Sequence, residues 1–274
     1  MTYGHWEVNS LPWDRFDPGQ LDPDLLKVVK AAALVEYGAD NYARYLCNVF
    51  SDDAAFQEAA RNWAIEETRH GEALGRYAER ADPEFNLSRA FARFSAGYGF
   101  DTEVEKSVRG SRAGELIARC IVETGTSSYY TAIADSTGEP LLKAICRRIA
   151  ADALRHYKLF YTHLKRYLDR DALTRFERLR IGLRRMRESE DDELAYAFYA
   201  ANTPEQTVYH RAEYTMAYMA RAYRFYNPGH VARVVAMVFK VCGLKPHTIW
   251  QSMVNRAAWW LLNLKIRNAM KGEA

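Results

Sequence analysis

From Pro23 onward, apolar positions recur every three or four residues, the spacing of a helix that buries one face. The first stripe is Leu25, Val29, Ala32, Glu36, Ala39, Ala43, Leu46 and Phe50. Ser51 followed by Asp52 and Asp53 offers an N-cap and first-turn acids for a second helix. That helix carries the stripe Phe56, Ala60, Trp63, Glu67, His70, Leu74, Tyr77 and stops before Asp82-Pro83, because the residue before proline avoids the α region. A third helix is predicted over about 112–135, with Leu116, Cys120, Glu123, Ser127 and Tyr130 in its stripe. A fourth, over about 140–169, carries Leu142, Cys146, Ile149, Ala153, His156 and Phe160. Helical spacing continues over roughly 172–188, 191–201, 205–226, 228–242 and 247–270, punctuated by Asn202-Thr-Pro204, Asn227-Pro-Gly229 and Gly243-Leu-Lys-Pro246. No strand alternation interrupts it. The expectation is an all-α protein: an irregular arm over 1–21 that Trp6, Trp13 and Phe16 pin to the surface, a four-helix bundle over 22–170, and a helical extension over 171–274 packed on it.

Four positions break the apolar rule: Glu36, Glu67, His70 and Glu123 stand where the pattern calls for core, as does His156 in the fourth helix. Burying a charge costs several kcal/mol unless it is paired or meets a metal. For a lone Glu-x-x-His the plain reading is a satisfied core pair. A near-repeat changes that. Leu34-Val35-Glu36-x-Gly38-x-x-x-Tyr42 returns 87 residues later as Ile121-Val122-Glu123-x-Gly125-x-x-x-Tyr129. Ala64-x-Glu66-x-x-Arg69-His70 returns 86 residues later as Ala150-x-Asp152-x-x-Arg155-His156. Two elements repeated in one order at one offset imply two helix pairs related by a pseudo-twofold, each sending polar groups to a shared centre.

Composition narrows the rest. The 274 residues are 49% hydrophobic, with 38 basic and 35 acidic side chains; a net charge of +3 argues neither for nor against nucleic acid, and no nucleic-acid partner is expected. Cys47, Cys120, Cys146 and Cys242 form no C-x-x-C, which fits free thiols in a reduced, cytoplasmic setting. No apolar run is long enough to span a membrane, and the N-terminal residues lack a signal-peptide pattern. Phosphate loops, nucleophile elbows and zinc-type cysteine pairs are missing too.

The motifs Glu36, Glu66-Glu67-x-x-His70, Glu123-Thr-Gly-Thr126 and Asp152-x-x-Arg155-His156 resemble the ferritin-like di-iron carboxylate superfamily, and within it the acyl-carrier-protein desaturase and rubrerythrin-like branches. The resemblance covers residues 22–169. It implies that Glu36 and His70 are terminal ligands of one metal, Glu123 and His156 of the other, and that Glu67 bridges them. It makes Glu66 and Asp152 acids that orient the opposite histidines, with Asp152 a candidate substitute ligand. It gives Thr126 a part in proton delivery; the plain reading is a hydroxyl bonded to its own helix. Iron is the expected metal, as a di-iron site, with a mononuclear or manganese site as alternatives. The implied activity is an oxidoreductase that activates O2 and oxidises an apolar or acyl substrate with an external electron donor.

One position departs from that family pattern. Where the repeat should hold a second bridging glutamate, the chain has Ala153. Three outcomes stand open: Asp152 substitutes, solvent fills the gap, or the site is a relic. The expectation is an impaired or non-standard metal site. The competing reading is a non-catalytic scaffold that acts as a binding or regulatory protein. An acidic carrier could dock on the arginine-rich stretch Lys165–Arg187, for which a solvated face is the plainer reading. The tryptophan-rich stretch around Trp259-Trp260 reads mainly as helix packing, with a membrane-surface or homodimer contact as the minority reading.

Overall fold

The computed structural model describes residues 6–188 and 192–272; residues 1–5 of the expected arm, 189–191 at the start of one expected helix, and 273–274 lie outside the described residues. Eleven α-helices follow one another among the described residues: α1 Pro23–Tyr37, α2 Ala39–Val49, α3 Ala54–Ala81, α4 Leu87–Gly97, α5 Arg112–Ser136, α6 Pro140–Asp171, α7 Arg175–Glu188, α8 Asp192–Asn202, α9 Arg211–Ala222, α10 Pro228–Val241 and α11 Ile249–Gly272. No described residue is in a strand, so the fold is all-α.

Local chemistry sets the helix starts. Asp22 caps α1 ahead of Pro23, Asp53 caps α3 through the Phe56 amide, Ser111 caps α5 through the Gly114 amide, and Glu139 caps α6 ahead of Pro140. Three details differ from the sequence pattern. The first helix breaks at Gly38, whose amide folds back on the Leu34 and Val35 carbonyls, giving α1 and α2 in place of one rod. The helix expected from 205 begins only at Arg211, after a turn in which the Thr207 amide bonds to the Pro204 carbonyl. The described part of the arm winds through three short 3-10 turns, and Trp6 is buried in the bundle's apolar cluster, with Trp13 and Phe16 packed against it.

The site-bearing helices form two pairs, α1 with α3 and α5 with α6, and α3 packs on α6 to join them. Two apolar clusters fill this bundle. One gathers Phe56, Trp63, Leu116, Cys120 and Phe160; the other gathers Val29, Leu74, Tyr130 and Ile149. On α3, Glu67 and His70 fall between the two clusters, as do Glu123 on α5 and His156 on α6. The polar centre is thus one layer of a bundle whose remaining layers are apolar. The later helices cover its flank: α8 lies on α1, α7 and α10 lie on α5, and α11 crosses α9 and α10. No helix among the described residues is long and apolar enough to cross a membrane.

Candidate metal centre

Glu67 lies at the middle of the polar layer. Its Oε2 is 2.9 Å from His70 Nδ1, and its Oε1 is 2.9 Å from His156 Nδ1. Each oxygen of one carboxylate therefore faces a different imidazole. Glu36 approaches the first of these, with Oε2 3.8 Å from His70 Nδ1. Glu123 approaches the second, with Oε2 3.6 Å from His156 Nδ1. The result is two triads, Glu36–Glu67–His70 and Glu67–Glu123–His156, with the ligand atoms of each within 4.8 Å of one another. The five residues come from α1, α3, α5 and α6. A close approach of helices permits this. A Cβ on Gly71 would fall 2.5 Å from the Tyr37 backbone nitrogen, so only glycine lets α1 pass next to His70.

The far nitrogens of the histidines are held from behind. His70 Nε2 donates to Asp152 Oδ2 at 3.1 Å, and His156 Nε2 donates to Glu66 Oε2 at 2.9 Å. With Nε2 held by an acid, Nδ1 is the nitrogen that faces Glu67 and the triads, and on losing its proton it would present its lone pair there. Arg155 binds both acids, reaching Asp152 and Glu66, the latter at 2.9 Å. Trp6 from the arm donates to Asp152 at 2.8 Å and stacks on the His70 ring with centroids 5.8 Å apart. Asp152 is thus spent on Trp6, His70 and Arg155 and lies behind His70, outside both triads. Ala153 is fully buried and offers no donor atom.

Electrostatics mark the layer as strained without a cation. Burial, then the Glu67 charge, pushes Glu36 from its ordinary 4.5 to about 8. Burial and Glu67 also raise Glu123. Burial works against a charged imidazole at His70 and His156, but the Glu67 carboxylate outweighs it and holds both well above the usual histidine range. Burial opposes charge on Glu67 as well, and the two histidines overcome it. Hydrogen bonds settle part of the demand. Tyr130 donates to Glu36 Oε1 at 2.8 Å and Trp63 to Glu123 Oε1 at 3.0 Å. Glu123 Oε2 and His156 Nδ1 stay buried without a hydrogen bond of good geometry, although both face the same triad. Buried polar atoms left without a partner are costly, and a divalent cation among them would satisfy both. Carboxylate oxygens with imidazole nitrogens suit iron or manganese over soft metals, so the donor set fits a pair of such ions. Three carboxylates would leave one of their four charges for another anion to balance.

Two cavities adjoin the triads. The smaller, about 80 Å³, is lined by Glu36, Glu67 and Glu123 together with Tyr42, Arg119, Thr126, Arg185 and Glu193. The larger, about 470 Å³, is mostly apolar and shares Glu36, Thr126 and Arg185 with the first. Tyr226, Val231, Val235 and Leu262 help to wall it, and Met186 and Leu261 belong both to its lining and to the exposed surface. A Cβ on Gly125 would meet nothing within 4 Å, so α5 opens toward this space. Thr124 and Thr131 bond back to carbonyls of their own helix, whereas Thr126 makes no such bond among the described residues and borders both cavities.

Sequence reasoning grouped the five triad residues and the two acids behind them. It assigned no role to Trp6 beyond a surface pin, none to Arg155, and none to the hydrogen bonds from Trp63 and Tyr130. It also read the arginine run as an outer face, whereas Arg185 turns inward. A signal was present there: Gly182, buried against Cys242 and Ile121, stands one turn before Arg185. His163 sits away from the centre, beside Phe56 and Arg166.

A comparison with curated proteins gives no match. The family described as fatty acid desaturase matches residues 36–227, which include every triad residue and more than half of the chain. The chain belongs to the fatty acid desaturase family.

Proposed function

We propose that this protein is a metal-dependent oxidoreductase of the ferritin-like di-iron carboxylate type, oxidising an apolar, acyl-like chain that lies in the 470 Å³ cavity. The observation that carries it is Glu67, with one oxygen toward each histidine and a further carboxylate completing each triad, next to an apolar space. Glu36 and His70 would hold one ion, Glu123 and His156 the other, and Glu67 would bridge them. The ion pair would supply O2 activation, fed by electrons from an external donor.

The chain's own residues supply the rest. Asp152 and Glu66 hold the Nε2 protons and so fix the histidine tautomers. The facing histidine, and after it Arg155, keep both acids charged: each lies below its ordinary value although burial opposes it. The apolar walls keep water from the reacting carbons. Thr126, on the border between cavity and triads, can hold a proton at its hydroxyl and pass it on.

The test is Fe(II) uptake per chain under anaerobic conditions, measured by elemental analysis on the protein and on Ala153→Glu side by side. About two irons in both supports the reading, with solvent in the place of the missing glutamate. Two only in the glutamate variant means an architecture disabled at one position. No uptake by either sinks the proposal and favours a non-catalytic scaffold.

A further inference from the structure

The last helix, α11, buries one side and leaves the other bare. Gln251, Ala258, Leu262 and Ala269 are buried or half-buried where the helix crosses α9 and α10. On the opposite side Ile249, Trp250, Met253, Trp260, Leu261 and Leu264 are exposed, Trp250 at 73% and Trp260 at 62%. At roughly 100° per residue these six fill an arc of about 120°. Arg256 and Arg267 border one edge of the arc and Lys265 the other, and all three are exposed. Single exposed apolar residues are ordinary on a protein surface, whereas a continuous stripe marks a contact. Charge says what makes that contact. From Tyr214 to Gly272 the sequence holds nine lysines and arginines and no aspartate or glutamate, in a chain with 35 acids. Arg221 and Arg224 are paired with Asp24 and Asp22, but Arg233, Lys245, Arg256 and Arg267 are exposed and have no ion pair among the described residues. The acids in reach are few and engaged or distant: α9 supplies Glu213 and α10 none, Glu188 is tied to Arg109 and Arg184, and Glu193 accepts from Tyr42. A second copy of the chain is a poor cover. A twofold contact sets a patch against itself, and here it would bring cations together with no acid to meet them.

We infer that α11 docks the protein on the surface of an anionic lipid bilayer. The helix lies in the plane of the interface, with Trp250, Trp260 and Leu264 at the boundary between headgroups and acyl chains and Arg256, Lys265 and Arg267 reaching the lipid phosphates. Tryptophan favours that boundary, and arginine and lysine extend past apolar neighbours to meet the headgroups. An apolar arc edged by cations on both sides suits a partner that is apolar within and negative at its surface. No helix among the described residues is long and apolar enough to cross a membrane, so the contact is with one face of it. Leu261 belongs both to the bare arc and to the lining of the 470 Å³ cavity, so docking sets the mouth of that cavity against lipid in place of water. The inference uses no metal ion and takes nothing from the proposed function.

The test is flotation of the full chain with vesicles of phosphatidylcholine alone and of phosphatidylcholine and phosphatidylglycerol in equal parts, together with tryptophan quenching by brominated phosphatidylcholine in the same vesicles. Binding to the anionic vesicles is expected to be about 100-fold tighter than to the neutral ones and to weaken as salt is raised. Arg256→Gln with Arg267→Gln should weaken it about 30-fold, and Trp250→Ser with Trp260→Ser about 100-fold. Trp250→Phe with Trp260→Phe should keep most of the binding and lose most of the quenching. If the serine pair does not fold, the phenylalanine pair decides: quenching that stays unchanged shows that other tryptophans meet the lipid and overturns the inference. No binding to either vesicle overturns it, as does equal binding to both. Binding that survives the serine pair assigns the contact to another basic surface and overturns it too. So does a dimer in sedimentation equilibrium that the serine pair dissociates, because a second copy then covers the arc. Vesicle binding is expected alike with and without Fe(II), so a failure of iron uptake sinks the proposed function and leaves this result standing.

Discussion

The two halves of the centre come from one repeated pattern, yet they are finished differently. On the His70 side every ligand is anchored: Tyr130 holds Glu36, Asp152 holds His70, and Trp6 both bonds Asp152 and covers the imidazole. On the His156 side Glu66 and Trp63 do similar work, but Glu123 Oε2 and His156 Nδ1 have no hydrogen bond of good geometry, although Nδ1 lies 2.9 Å from Glu67 Oε1. Here Ala153 stands where the other half has Glu67. A repeat can therefore conserve the ligands and still make two unequal sites, one pre-organised by neighbours and one left to the cation. We expect two binding steps of different affinity, with the His70 half filling first.

Removing the shared ligand tests whether the halves are halves at all. Glu67→Ala should abolish both binding steps in elemental analysis. In the metal-free chain it leaves two buried imidazoles facing no central carboxylate, a loss of about 3–5 kcal/mol by denaturant unfolding. Retention of one full metal equivalent would mean that the triads are independent. Gly71→Ala attacks one side. Its methyl must push α1 from α3, an overpacking cost of about 1–3 kcal/mol. The first binding step should weaken while the His156 half keeps its own; equal weakening of both would refute the asymmetry.

Trp6→Phe is milder and aims at the same side. The stack on His70 can persist, while the hydrogen bond to Asp152 is lost, at about 1–2 kcal/mol in thermal or denaturant melts. Metal affinity of the first step should fall about tenfold, as for a lost contact behind a ligand. The smallest effect should come from Asp53→Ala, remote from both halves, at about 1 kcal/mol for a lost N-cap. Burial opposes charge on Asp53, but Tyr167, the Phe56 amide and Arg166 hold its carboxyl below the usual 3.8. Its stabilisation is complete above that value and is lost as pH falls through the lower folded value. The ratio of the two metal affinities should not move; a change would show that the halves respond to the whole bundle.

The helical spacing and the 86–87-residue repeat made most of this legible, because both are local patterns carried by side-chain type. Glu36, Glu67, His70, Glu123 and His156 stood out as polar residues in apolar stripes. What stayed hidden depends on contacts across the chain. Trp6 reaches Asp152 from 146 residues away, and no periodicity in the arm announces it. The break at Gly38 was masked because the apolar stripe runs through it unbroken. Arg185 was lost among neighbouring arginines, since a charge run reads as solvated until packing shows which member turns inward.

The reach of Trp6 has a consequence in time. The His70 half cannot close until the arm, α1, α3 and α6 have all met, so its contacts carry the loop-closure entropy of most of the chain. Such a site is a late product of folding and a poor nucleus for it. Stopped-flow refolding should accordingly run at the same rate with or without metal ions, while the loaded chain unfolds more slowly. Faster refolding in the presence of metal would place the centre early instead. With the centre formed late, the bound ions would act as a lock turned after assembly, setting how long the folded protein lasts rather than how quickly it is made.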